Sequence, residues 1–113
     1  MFERGKIILV PFPFTNLSAT KVRPALIVSS DTRASDVIVV FITSVLTPHR
    51  QRTHVVVRDE DPKFGKTGLR ITSIIRCEKL ATLDRRIVLG ELGSLDPALM
   101  RKTNIALRHA LGL

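Results

Sequence analysis

Lys21-Val-Arg-Pro-Ala-Leu-Ile-Val-Ser-Ser30 joins a basic loop to an apolar, β-branched strand through an arginine that precedes a proline. Proline disfavours helix at the residue before it, so Arg23 is expected to be extended and aimed from the mouth of a strand. Lys6 to Phe12 lies upstream, and Val37 to Thr43, His54 to Arg58 and Ile71 to Cys77 lie downstream, each a short run rich in Val and Ile. With Ala25 to Ser29 these make five strands, and Ile87 to Leu92 offers a sixth. Only loops separate them, so the sheet is expected to be mostly antiparallel and curled into a small barrel. One helix follows: Asp96-Pro97 pairs a capping residue with proline at the first helical position, and Gly112 supplies the stop. Leu99, Met100, Thr103, Ala106, Leu107, Ala110 and Leu111 fall on one stripe, expected to cover an end or face of the barrel. Arg101, Lys102, Arg108 and His109 lie opposite, with Ile105 among them; singly exposed isoleucines are common, and a partner contact is the other reading.

The 113 residues are expected to make one domain, 1–113, with a single core and no internal boundary. Hydrophobic residues form 44% of the chain and charged ones 25%, which sets it apart from disordered sequences. Charge is the unusual quantity: 18 Lys+Arg against 10 Asp+Glu leaves +8, which suits a polyanion or an acidic protein as partner, or serves solubility alone. Cys77 is the only cysteine, so neither an intrachain disulfide nor a cysteine metal site forms, and a reducing cytoplasm is the expected compartment. His49, His54 and His109 show no metal-ligand spacing, so no metal or other cofactor is expected. The apolar start, Ile7 to Val10, runs at once into Pro11 and Pro13 and lacks a cleavage site, which argues against a signal peptide. No run approaches the roughly 20 apolar residues that span a bilayer, so no membrane partner is expected.

The chemistry-bearing residues begin with Ile71-Thr-Ser-Ile-Ile-Arg-Cys-Glu78. On a strand, Arg76 and Glu78 project from the same face, either as a surface ion pair worth about 0–1 kcal/mol or, facing a cleft, as a catalytic pair. Cys77 alternates to the other face and reads as a small buried residue, not a nucleophile. Arg23 either bridges to an acid at the strand edge or grips a phosphate with its planar fork. Thr43 and Ser44 close an apolar strand, where hydroxyls satisfy backbone groups or donate to a phosphate oxygen. Lys21, Arg50, Arg52 and Arg70 would track a single-stranded backbone, and Phe14 is the residue placed to stack a base.

Phe12-Pro-Phe-Thr15, Arg23-Pro24, Thr43-Ser44 and Arg76-Cys77-Glu78, in this order, resemble the MazF/PemK-like family of toxins that cut RNA. The similarity runs from about Glu3 to the final helix. The resemblance implies a mainly β fold with a C-terminal helix, a small SH3-like antiparallel β-barrel of the MazF/PemK/CcdB type. It also implies a metal-independent endoribonuclease of a type II toxin–antitoxin pair, acting as a homodimer on single-stranded RNA. A cognate antitoxin with an acidic, disordered tail would neutralise it. The catalytic residues implied are Arg23, Thr43, Arg76 and Glu78, with Phe14, Thr15, Lys21, Pro24, Ser44, Arg50, Arg52 and Arg70 on the RNA. Glu78 would be the base, Arg76 the acid or charge stabiliser, and Arg23 the main phosphate clamp. Gly5-Lys6 and the loop Thr15 to Val22 depart from the family pattern, the latter by containing neither histidine nor glutamate. The alternatives are a relative that poisons DNA gyrase by binding, and a barrel that binds nucleic acid without cutting it.

Overall fold

Among the described residues, six strands and one long helix follow in the order that the hydrophobic runs set out. The computed structural model describes residues 2–13, 20–30, 35–49 and 51–113, the side chains of Phe12, Pro13 and Thr20 excepted. The strands are β1 (Lys6–Pro13), β2 (Thr20–Ile27), β3 (Asp36–Thr43), β4 (His54–Val57), β5 (Ser73–Asp84) and β6 (Gly90–Ser94), and helix α1 is Pro97–Leu111. They form one sheet in the order β4-β5-β3-β2-β1-β6, with every neighbouring pair antiparallel. The sheet curls into a half-barrel capped on one face by α1, the architecture expected.

The central strands are apolar on both faces because both faces are covered. Ile7, Leu26, Val40, Ile42, Val55, Val57, Ile75 and Cys77 pack with Leu95, Leu99 and Ala106 on the helix side. Ile8, Val10, Ala25, Ile27, Val37, Val39 and Phe41 form a second cluster on the other. Continuous Ile and Val runs are what such two-sided burial requires. In α1, Asp96 accepts a hydrogen bond from Ala98 N at 3.1 Å, and Gly112 ends the helix in the left-handed conformation. Leu99, Thr103 and Ala106 of the stripe are buried, while Leu111 is exposed at the last turn.

Three strand boundaries differ from expectation by three residues or more. β2 starts at Thr20, so Arg23 and Pro24 lie inside the strand, paired to Val10 and Leu9. The β2–β3 ladder stops at Ala25↔Phe41, next to the proline, which has no N–H to give. β5 runs on to Asp84 because Leu80 to Asp84 continue to pair with β3. β6 begins later than Ile87 because the Asp84 carboxylate accepts from Arg86 N at 2.9 Å and turns Arg85–Ile87 into a 3-10 helix.

The long β4–β5 connection carries a second 3-10 turn, Phe64–Thr67, set against β6. Two glycines permit that approach: a Cβ on Gly68, which has φ +73°, would lie 2.2 Å from Leu92 O, and one on Gly93 would lie 2.1 Å from Lys66 O. Gly93→Ala therefore forces backbone apart and is expected to destabilise the fold by about 1–3 kcal/mol. A thermal melt that leaves the Tm of this variant unchanged would contradict the contact.

Candidate active site on the sheet face away from the helix

Ala25, Phe41, Arg76 and His54 stand opposite one another in a row across β2, β3, β5 and β4. Opposed residues of a ladder share a face, and residues two apart on a strand share it too. Arg23 and Thr43 therefore lie on the same face as Arg76 and His54, about 7 Å further along their strands. This is the face away from α1. The Ile8 to Phe41 apolar cluster lies on it, with Val10 of that cluster opposite Arg23.

A bulge supplies the carboxylate. Val40 and Phe41 are consecutive on β3 but pair with Leu80 and Arg76 on β5, which leaves Cys77, Glu78 and Lys79 without partners on β3. Bulges re-aim side chains and recur beside active sites. Here the loop of chain is tied back by Cys77 N, which donates to Thr53 O at 2.9 Å. Arg76 Nε donates to Glu78 Oε2 at 2.9 Å, and Nη2 lies 2.8 Å from the same oxygen as an ion pair. His54 Nε2 meets the same oxygen at 3.2 Å.

Partial burial works to raise the Glu78 pKa, but hydrogen bonds from its own backbone N–H, His54, Thr53 and Arg76 outweigh it and hold the carboxyl down to about 2. The Thr53 hydroxyl, buried and without a bond of regular geometry, contributes through its nearness. Cys77 points into the helix-side core, its Sγ 4.0 Å from Thr103 O, and burial followed by the Glu78 charge pushes the thiol up to about 12. It is no nucleophile at neutral pH.

Thr43 Oγ1 accepts from Val45 N at 3.1 Å, which fixes the hydroxyl oxygen and leaves its hydrogen to donate. Arg23 and Pro24 are half-buried, Ser44 is exposed just past β3, and Lys21 is exposed on β2. Arg52 is exposed in the turn before β4 and Arg70 in the loop before β5. Phe14, Thr15 and Arg50 lie outside the described residues. Arg52 also lines a groove of about 410 Å³ between β4 and α1, with His49, His54, Arg58, Lys102 and His109. Among the described residues no carboxylate lines this groove, and Ile105 stands exposed at it.

His54 is the member of the cluster not expected from sequence. Its contact with Glu78 is made across strands, and only pairing Val57 with Ser73, and so His54 with Arg76, would have placed it there. Among the described residues no three His, Cys, Asp or Glu side chains come together as metal ligands, and no helix is long and apolar enough to cross a membrane.

Comparison with known proteins gives a consistent picture. The profile of a family described as "PemK-like, MazF-like toxin of type II toxin-antitoxin system" matches residues 3–111. A mycobacterial endoribonuclease solved in complex with its cognate antitoxin is 28% identical with a TM-score of 0.76, covering 98% of this chain and 95% of its own. Mycobacterium tuberculosis toxin MazF-mt6 is 21% identical with a TM-score of 0.75, covering 96% and 97%. MazF in a MazE–MazF crystal structure from Deinococcus radiodurans is 16% identical with a TM-score of 0.76, covering 98% and 96%. No curated protein matches the chain in sequence.

The depressed Glu78 pKa links the site to stability. With a folded value of about 2 against 4.5 for the unconstrained carboxyl, ionised Glu78 stabilises the folded state above pH 4.5, and that contribution fades as pH falls toward 2. Wild type is expected to exceed Glu78→Gln in unfolding free energy at pH 7, with the gap closing between pH 4.5 and 2. Urea titrations across that window check it; a gap that is constant with pH would contradict the hydrogen-bonded carboxylate.

Proposed function

The chain belongs to the PemK-like, MazF-like toxin family of type II toxin–antitoxin systems, and from that premise we propose that it is a metal-independent endoribonuclease that cuts single-stranded RNA. The observation that carries this reading is the contact of Arg76 with Glu78 on the sheet face shared by Arg23 and Thr43. In the proposed reaction the ribose 2′-oxygen attacks the adjacent phosphorus and the bond to the 5′-oxygen breaks. The 2′-hydroxyl proton leaves to a base, the departing 5′-oxygen takes up a proton, and the products are a 2′,3′-cyclic phosphate and a 5′-hydroxyl.

Glu78 is the proton acceptor in this scheme. A carboxylate held at about 2 is a weak base at neutral pH, so most of the acceleration has to come from positive charge around the phosphorane. Arg23 clamps the phosphate, Arg76 stabilises the developing charge and serves as acid, and Thr43 with Ser44 orients the non-bridging oxygens. Phe14, Thr15, Lys21, Pro24, Arg50, Arg52 and Arg70 complete the RNA contacts, with Phe14 stacking a base. DNA, which lacks the 2′-hydroxyl, is not cut.

The protein is further proposed to act in the cytoplasm as a homodimer held in check by an antitoxin with an acidic, disordered tail. Exposed Val22, Val45 and Leu46 beside the site supply apolar surface for a second copy. The cationic groove between β4 and α1 suits an acidic chain.

Incubation with mixed-sequence RNA in EDTA is expected to give fragments with 5′-hydroxyl ends, and Arg23→Ala or Glu78→Ala to lower the rate by at least about 100-fold without unfolding the protein. Undiminished cutting by either variant refutes its assigned role. Intact RNA with the wild type points to a toxin that acts by binding.

A further inference from the structure

The Arg76–Glu78 pair depends on a third side chain. Glu78 stands in the bulge, where β3 gives it no ladder partner, and a solvent-facing ion pair alone is worth only about 0–1 kcal/mol. Its direction needs another anchor. His54 supplies one from β4: Nε2 lies 3.2 Å from Oε2, the oxygen that accepts from Arg76 Nε and pairs with Nη2. An ionised carboxylate only accepts, so Nε2 carries a proton in this contact, whether the ring is neutral or charged. The ring is held in turn by its strand, with His54 N donating to Gln51 O at 3.1 Å.

Exposure separates the roles. The His54 side chain keeps 4% of its surface, against 34% for Arg76 and 29% for Glu78. An enclosed ring does not reach a polymeric substrate, so it acts through its neighbour. We infer that His54 is a positioning residue, whose Nε2–H fixes Glu78 Oε2 so that Glu78 holds one edge of the Arg76 guanidinium and turns the rest outward. Of the guanidinium nitrogens, Nε donates to Glu78 and Nη2 is ion-paired with it, which leaves the Nη1 edge for a phosphate. The effect on RNA rests on the ribonuclease reading; the geometric linkage of the three residues does not.

The test compares wild type with His54→Leu, which fills the space without a donor, and His54→Gln, whose amide nitrogen reaches the place of Nε2. His54→Leu is expected to lower kcat on mixed-sequence RNA by about 10–100-fold, the scale of a 1 Å misplacement, with KM unchanged. His54→Gln is expected to restore most of the loss, which a packing role alone would not produce. In parallel, the Arg76 Nε–H resonance in NMR spectra is expected to be protected from exchange in wild type and His54→Gln and lost in His54→Leu. Should the leucine variant be unfolded, His54→Asn, whose amide stops short of Glu78, replaces it in both measurements. Full activity or a protected Arg76 signal in the folded variant lacking the donor overturns the inference. If wild type leaves RNA intact, the ribonuclease reading falls, and the Arg76 signal by itself decides whether His54 positions the pair.

Discussion

The pairing of β3 with β5 has to hold on both sides of a three-residue bulge, and the rest of the molecule depends on it. Below the bulge, Phe41 to Thr43 pair with Arg76 to Ile74; above it, Asp36 to Val40 pair with Asp84 to Leu80. A slip of one residue on either side would turn every β5 side chain to the other face. Buried Ile75 and Cys77 would face away from the helix, and Arg76 would enter the core. Two apolar clusters, one on each face, oppose such a slip, so the register is held by burial and not by the polar groups at the site.

The energies agree with that division. Burying one isoleucine or leucine contributes about 1.5–3 kcal/mol, whereas an ion pair at the surface adds at most about 1 kcal/mol. The core does not need Arg76, Glu78 or Arg23 to exist. Their identities are left to chemistry, and the fold delivers them: the ladder that ends at Pro24, the end of β3 at Thr43 and the bulge in β5 each place a charged or hydroxyl group on one face.

Local signals were legible in the sequence and non-local ones were not. The Asp96 cap and Gly112 stop announce α1 because capping is settled within a few residues. The strand centres are announced by apolar runs. The start of β2 is hidden because Thr20, Lys21 and Arg23 are polar and the segment pairs only with β1. The turn at Arg85–Ile87 is hidden because an apolar run masks the Asp84 side chain that bends it. Arg76 and Glu78 are visible as neighbours in sequence, but His54 joins them from 24 residues away, through a register that no short motif encodes.

Cys77 sits between the two charged residues in sequence and on the opposite side of the sheet in space, closed in beneath α1. Peroxide and disulfide attack proceed through the thiolate, and a thiol at about 12 has only about one part in 10⁵ in that form at neutral pH. The chain's only sulfhydryl is thus a spectator to oxidative stress: a burst of oxidant neither caps the Arg-Cys-Glu tripeptide nor cross-links folded copies of the protein through it.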